Sequence, residues 1–186
     1  MTEDIANACR TLQGGGLILY PTDTIWGIGC DATNNEAVRR VYALKRRTAH
    51  KSMLVLMDSP DKLGIYVESV PDIAYDLIEA ADKPLTLIFS GAQNLSPELV
   101  DEDGSIGVRI TREAFSQALC HRFGRPIVST SANISGEVFP STFDDIPESI
   151  RKGVDYIVRY RQEDTTEAQP SGIIKLGEGG LFRIIR

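Results

Sequence analysis

Gly14-Gly15-Gly16-Leu17-Ile18-Leu19-Tyr20-Pro21-Thr22-Asp23-Thr24-Ile25-Trp26-Gly27-Ile28-Gly29-Cys30 is the stretch whose reading decides the architecture. Upstream, Ile5, Ala8, Cys9 and Leu12 recur at helical spacing. The glycine triplet therefore ends an amphipathic helix, and the apolar run Leu17-Ile18-Leu19-Tyr20 begins a strand. Downstream, Thr33-x-x-Glu36 has the form of a capping box. Ala37, Val38, Val41 and Leu44 follow on one face, which predicts a second helix running to about Leu44.

The rest of the chain continues this alternation. Residues 53–57 and 85–89 read as strands, separated by helical patterns over 61–66 and 72–81. Two more strands are expected at 105–110 and 126–131, around a helix over 113–123. A short helix at 144–151 and strands at 156–159, 172–176 and 181–185 complete the pattern, with a polar mobile loop at 162–170. Helices interleaved with many short strands predict one α/β domain over residues 1–186, an open twisted mixed sheet with flanking helices.

Composition excludes several classes. The chain has 186 residues, 42% hydrophobic and 25% charged, with no apolar run long enough to span a bilayer. Met1-Thr2-Glu3-Asp4-Ile5 is acidic and lacks the basic-then-apolar order of a secretory signal, so a cytoplasmic protein is expected. Cys9, Cys30 and Cys120 are odd in number, far apart and without a Cys-x-x-Cys pair; buried free thiols are expected rather than a disulfide framework or zinc site. The net charge is −6, yet between Asp31 and Asp58 the only acid is Glu36, while Arg39, Arg40, Lys45, Arg46, Arg47 and Lys51 crowd together. An acidic protein with one basic concentration suits a local anion better than a nucleic-acid-coated surface.

Three segments hold residues suited to chemistry. Residues 20–30 gather hydroxyls, a carboxylate, an aromatic and two glycines, either as a ligand cradle or as a plain Asx turn. Gly27-x-Gly29-x-x-Ala32 matches a dinucleotide fingerprint, but the acid expected about 20 residues on falls in the basic cluster, so a Rossmann dehydrogenase is set aside. Lys45 and Arg47, two positions apart, point together only where the chain is extended. That places them just past the helix end, on an exposed wall, where with Lys51 they suit phosphate oxygens or form a solvated basic surface. In Ser129-Thr130-Ser131-Ala132-Asn133, strand alternation sends Ser129, Ser131 and Asn133 to one side. No Gly-x-Ser-x-Gly or Walker sequence occurs, and neither His50 nor His121 is tied to these serines by a motif, so neither a serine hydrolase nor a P-loop ATPase is indicated.

Taken together and in order, these segments resemble the YrdC/Sua5 family. Residues 20–29 resemble its Pro-Thr-[Asp/Glu]-Thr-x-Tyr-Gly-Leu segment, Lys45-x-Arg47 and Lys51 its basic cluster, and Ser131-x-Asn133 its Ser-x-Asn motif. Residues 106–110, Pro170-Ser171 and Leu181-Phe182-Arg183 also resemble family segments. The resemblance implies a concave basic cavity and formation of L-threonylcarbamoyl-AMP and pyrophosphate from L-threonine, bicarbonate or CO2, and ATP, for tRNA modification. It places ATP against Lys45, Arg47, Lys51, Ser105, Ser131, Asn133 and Arg183, with Lys45, Arg47, Ser131 and Asn133 catalytic. Threonine falls to Thr24, Arg109, Ser129 and Ser171. Mg2+ is expected to accompany ATP rather than occupy a protein metal site, since no carboxylate cluster is evident. Proteins that move the threonylcarbamoyl group, with tRNA, are the implied partners. The carboxy-terminal domain of longer Sua5 forms is expected to be absent.

The chain departs from the family at Trp26 (for Tyr), Ser52 (for Pro), Ala81-Asp82-Lys83-Pro84 (for Trp-Pro-Gly-Pro), Phe139 (for Ser) and Gly172 (for Thr). The competing readings are an RNA-binding module and a paralogue acting on another substrate. The first is disfavoured by the acidic charge and single Trp.

Overall fold

The computed structural model describes residues 1–48, 53–166 and 171–186. Helix α1 (Thr2–Gln13) buries Ile5, Ala8, Cys9 and Leu12, the face predicted from their spacing, and with them Asp4. Gly14 N and Gly16 N donate to Arg10 O and Thr11 O, and Gly15 takes φ +75° to turn the chain into β1 (Ile18–Tyr20). All three residues of β1 are buried, as befits an interior strand covered on both faces.

The chain then runs through β2 (Gly27–Gly29), α2 (Asn35–Leu44), β3 (Leu54–Met57), α3 (Leu63–Tyr66), α4 (Asp72–Ala80) and β4 (Leu85–Phe89). There follow β5 (Ile106–Ile110), α5 (Ala114–Phe123), β6 (Ile127–Ser131), α6 (Glu148–Gly153), β7 (Tyr156–Ile157), β8 (Gly172–Leu176) and β9 (Phe182–Ile184). The strands form one mixed sheet in the order β7-β1-β2-β6-β3-β5-β4-β8-β9. Pairs β1/β7, β3/β5 and β4/β8 are parallel and the others antiparallel. The expected mixed sheet with flanking helices is what forms.

Local departures from the sequence reading each have a physical cause. Strand β2 lies in a segment read as a turn. Gly29 permits it, because a Cβ there would sit 2.7 Å from Tyr20 Cε1 and 3.0 Å from Val128 O. The cap of α2 is Asn34, whose side chain accepts from Ala37 N at 3.1 Å. Thr33 is instead drawn to Asp31, whose Oδ1 accepts from its N–H and hydroxyl, so the expected capping box does not form. Strand β7 stops at Ile157 because the buried Asp4 carboxylate accepts from Arg159 N and Tyr160 N, taking the place of a strand partner. Helix α6 begins after Pro147, later than predicted, because the Arg151 guanidinium holds the carbonyls of Phe143, Asp144 and Ile146 in a turn.

Leu17, Ile28, Val55, Leu56, Phe115, Ile127 and Val128 sit at the centre of the core. All three cysteines are buried free thiols, and burial pushes the thiols of Cys30 and Cys120 well above their ordinary range, so they are unreactive. Among the described residues no helix is long and apolar enough to cross a membrane.

Candidate substrate site

The central strands deliver polar side chains to one face of the sheet. Register sets Gly27 opposite Ser131, Leu54 opposite Ser129, and Leu56 opposite Arg109. There they border a cavity of about 370 Å³ lined by Thr24, Trp26, Arg109, Ser129, Ser131 and Ser171, and also by Phe139 and Arg186. All four predicted threonine-binding residues are on this list.

The loop after β1 is closed by a threonine, not by an Asx turn. Thr22 Oγ1 accepts from Thr24 N at 3.0 Å and donates to Ile25 O at 2.7 Å. The Asp23 carboxylate is not used in this turn, and its Oδ1 accepts from the buried Arg109 Nη1 at 2.8 Å. The same Nη1 lies 3.1 Å from Thr24 Oγ1. The Arg109 side chain is 4% exposed, and its Nε has no hydrogen-bond partner among the described residues. Burial lowers the Arg109 pKa and the Asp23 charge opposes this; burial likewise raises the pKa of Asp23 against the pull of Arg109. A buried guanidinium with an unsatisfied Nε–H is suited to receive a carboxylate or phosphate. Ser171 Oγ is steadied by Thr86 Oγ1 at 3.1 Å, and Arg186 Nε donates to Ser171 O at 3.2 Å, bringing a second arginine to the wall.

Lys45 is not on an exposed wall. It is 1% exposed, and its ammonium donates to Ser131 O, to Asn133 O at 2.8 Å and toward Asn133 Oδ1 at 3.2 Å. Its own carbonyl accepts from Ser135 N at 2.9 Å. Lys45 therefore clasps the end of β6 and the loop beyond it. Neither Lys45 nor Asn133 lines the cavity, whereas Ser131, which Lys45 contacts, does. The chain here is not extended as expected either, for Arg46 turns it with φ +50°. Arg47 is half-buried, and its charge helps burial push Lys45 down to about 8, so the two cations do lie near each other.

Two predicted nucleotide contacts, Ser105 and Arg183, do not line this cavity. Ser105 is buried at the other end of β5 from Arg109 and its hydroxyl bonds the Asp103 carboxylate. Arg183 is exposed on edge strand β9, opposite Lys175. Arg186, three residues on, occupies the cavity instead; the register of the β8/β9 hairpin decides this, and its glycine-rich turn at 177–180 hides the register from sequence. Lys51 and Ser52 lie outside the described residues. Asp23, which the spacing of the motifs does not single out, pairs with the cavity-lining Arg109; its place between two threonines is the one local signal of it. Among the described residues there is no group of three or more His, Cys, Asp or Glu able to hold a metal.

Comparison with known proteins shows the family. The Sua5/YciO/YrdC family model, described as telomere recombination, matches residues 10–186. The threonylcarbamoyl-AMP synthase of Pseudoalteromonas translucida is 34% identical over 183 residues, covering 96% of each chain. That of Pseudomonas aeruginosa is 36% identical over 130 residues, covering 69% of this chain and 70% of its own. The structure of Pyrococcus abyssi (P. abyssi) Sua5 complexed with L-threonine superposes with a TM-score of 0.85 at 25% identity, covering 98% of this chain. This chain spans about half the length of that Sua5, 53%. E. coli YciO shares the fold, with a TM-score of 0.85 at 23% identity and coverage of 100% of this chain and 89% of its own. By the extent of the family match, by relatives of similar length and by its fold, this chain belongs to the Sua5/YciO/YrdC family.

Proposed function

We propose that this protein is a threonylcarbamoyl-AMP synthase. The observation that carries the proposal is the convergence of a buried, incompletely paired Arg109 with the hydroxyls of Thr24, Ser129 and Ser171 in one cavity. A guanidinium suits an amino acid carboxylate, and hydroxyls suit a side-chain hydroxyl and an amine. The relatives' names point the same way.

In this reading threonine's amine adds CO2 and loses a proton, giving a carbamate. A carbamate oxygen attacks the ATP α-phosphorus as the bond to the bridging oxygen breaks and pyrophosphate leaves. No covalent enzyme intermediate is required. The residues act by positioning and by stabilising charge on the transferring and leaving groups. Ser131 lies at the junction of the two substrates, held by Lys45. Arg47, Lys51 and Arg186 are assigned to the phosphates, and Lys45 and Asn133 shape that wall from behind it. The described residues offer no carboxylate cluster for Mg2+, so the ion would arrive on ATP and no step is assigned to it. The product, a mixed anhydride, suits a partner that transfers the threonylcarbamoyl group to tRNA.

Pyrophosphate release with threonine, serine and valine at equal subsaturating concentrations tests the pocket. Serine lacks a methyl that contributes about 1–3 kcal/mol in a fitted site, and valine leaves a hydroxyl partner unpaired. Threonine should be fastest, and equal rates with valine would overturn the assignment.

A further inference from the structure

A carboxylate in the loop that meets an amino acid substrate is at first sight misplaced, because it would repel the substrate's own carboxylate. Asp23 occupies such a place, beside Thr24. Its side chain is 13% exposed, and its 2.8 Å ion pair with Arg109 is the interaction it makes toward the cavity. The other groups nearby are otherwise engaged: Arg161 pairs with Asp164 at 2.7 Å and with Glu113 at 3.4 Å, and Thr22 holds the turn.

The geometry of the pair is specific. Asp23 and Thr24 both meet Arg109 at Nη1. A guanidinium is planar, and the Nε–H and one Nη2–H lie together on the edge away from Nη1, a fork that matches two carboxylate oxygens. Among the described residues Nε is buried without a hydrogen-bond partner, and Nη2 makes no hydrogen bond. An uncompensated charge this deep would be strongly unfavourable, so the Asp23 charge also permits Arg109 to stay buried and ionised.

We propose that Asp23 is the positioning residue for amino acid recognition, orienting Arg109 so that its Nε/Nη2 edge receives the carboxylate of the substrate amino acid. This rests on the synthase reading above. Asp23 acts through Arg109 and touches neither the reacting atoms nor ATP.

The test is calorimetric binding of L-threonine, L-threoninamide and ATP to wild type and Asp23→Asn, with circular dichroism to verify folding. Threonine affinity should fall by roughly tenfold to a hundredfold, the range of a charged hydrogen bond, with ATP affinity unchanged. Threoninamide lacks the carboxylate, so its weak binding should be indifferent to the substitution. Unchanged threonine affinity in the folded variant overturns the proposal, as does an equal loss for threonine, threoninamide and ATP, which marks a merely structural role. Should the Asn variant fail to fold, Asp23→Glu keeps the charge and moves it by one methylene. It should weaken threonine severalfold with ATP unchanged, and wild-type affinity there would also overturn the proposal. Wild-type protein that binds no threonine refutes the synthase reading itself, a result distinct from any difference between variants.

Discussion

Lys45 donates to Ser131 and Asn133 from a fully buried position, and burial with the Arg47 charge lowers its pKa from 10.5 to about 8. Between those values the unfolded chain holds a proton that the folded one has released. This group therefore makes stability rise with pH across that window and gives no slope below about 8. Lys45→Met should lack that rise. Melting temperatures of wild type and variant that run parallel from about pH 7 to pH 10 would contradict the assignment. The variant should also lose activity through a displaced Ser131, in contrast with the simple loss of a phosphate contact expected of an exposed lysine. At this scale residue identities were legible, since Thr24, Arg109, Ser129 and Ser171 all reach the cavity. Burial was not, because nothing local distinguishes a lysine that faces solvent from one that meets three carbonyl or amide oxygens across the fold.

Among the elements, α2 and β2 show how competing hydrogen bonds and close packing decide boundaries. Asn34→Ala should destabilise the protein by about 1 kcal/mol, the usual cost of losing an N-cap, and Glu36→Ala by much less, since the capping box is absent. Equal losses in chemical denaturation would restore the box. Gly29→Ala should cost about 1–3 kcal/mol, because its methyl would press on Tyr20 and on the Val128 carbonyl in a packed interior. A variant as stable as wild type would show that β1 and β6 can separate there. Helix and strand order was readable from periodicity. The β2 strand was not, because its pairing depends on partners at Ile18–Tyr20 and Ser131 rather than on its own two glycines.

Across the whole molecule, the sheet order β2-β6-β3-β5 brings chemistry from distant parts of the sequence to one cavity. Alternation predicts that Ser129 and Ser131 share a side, and both line the cavity, whereas Asn133 lies beyond the end of β6 and does not; which strands are neighbours is a long-range matter that composition and spacing do not encode. The C-terminal hairpin illustrates this: it carries Arg186, not Arg183, to the site. The proposed reaction joins threonine, bicarbonate and ATP in this cavity. Incubating the purified protein with ATP, L-threonine and carbon-13 bicarbonate, followed by mass spectrometry, tests it most directly. The expected product is threonylcarbamoyl-AMP one mass unit heavier than with unlabelled bicarbonate, formed with pyrophosphate and sharply reduced in Arg109→Ala. Hydrolysis of ATP without a threonine-containing adenylate, or the same product yield from Arg109→Ala, would contradict it.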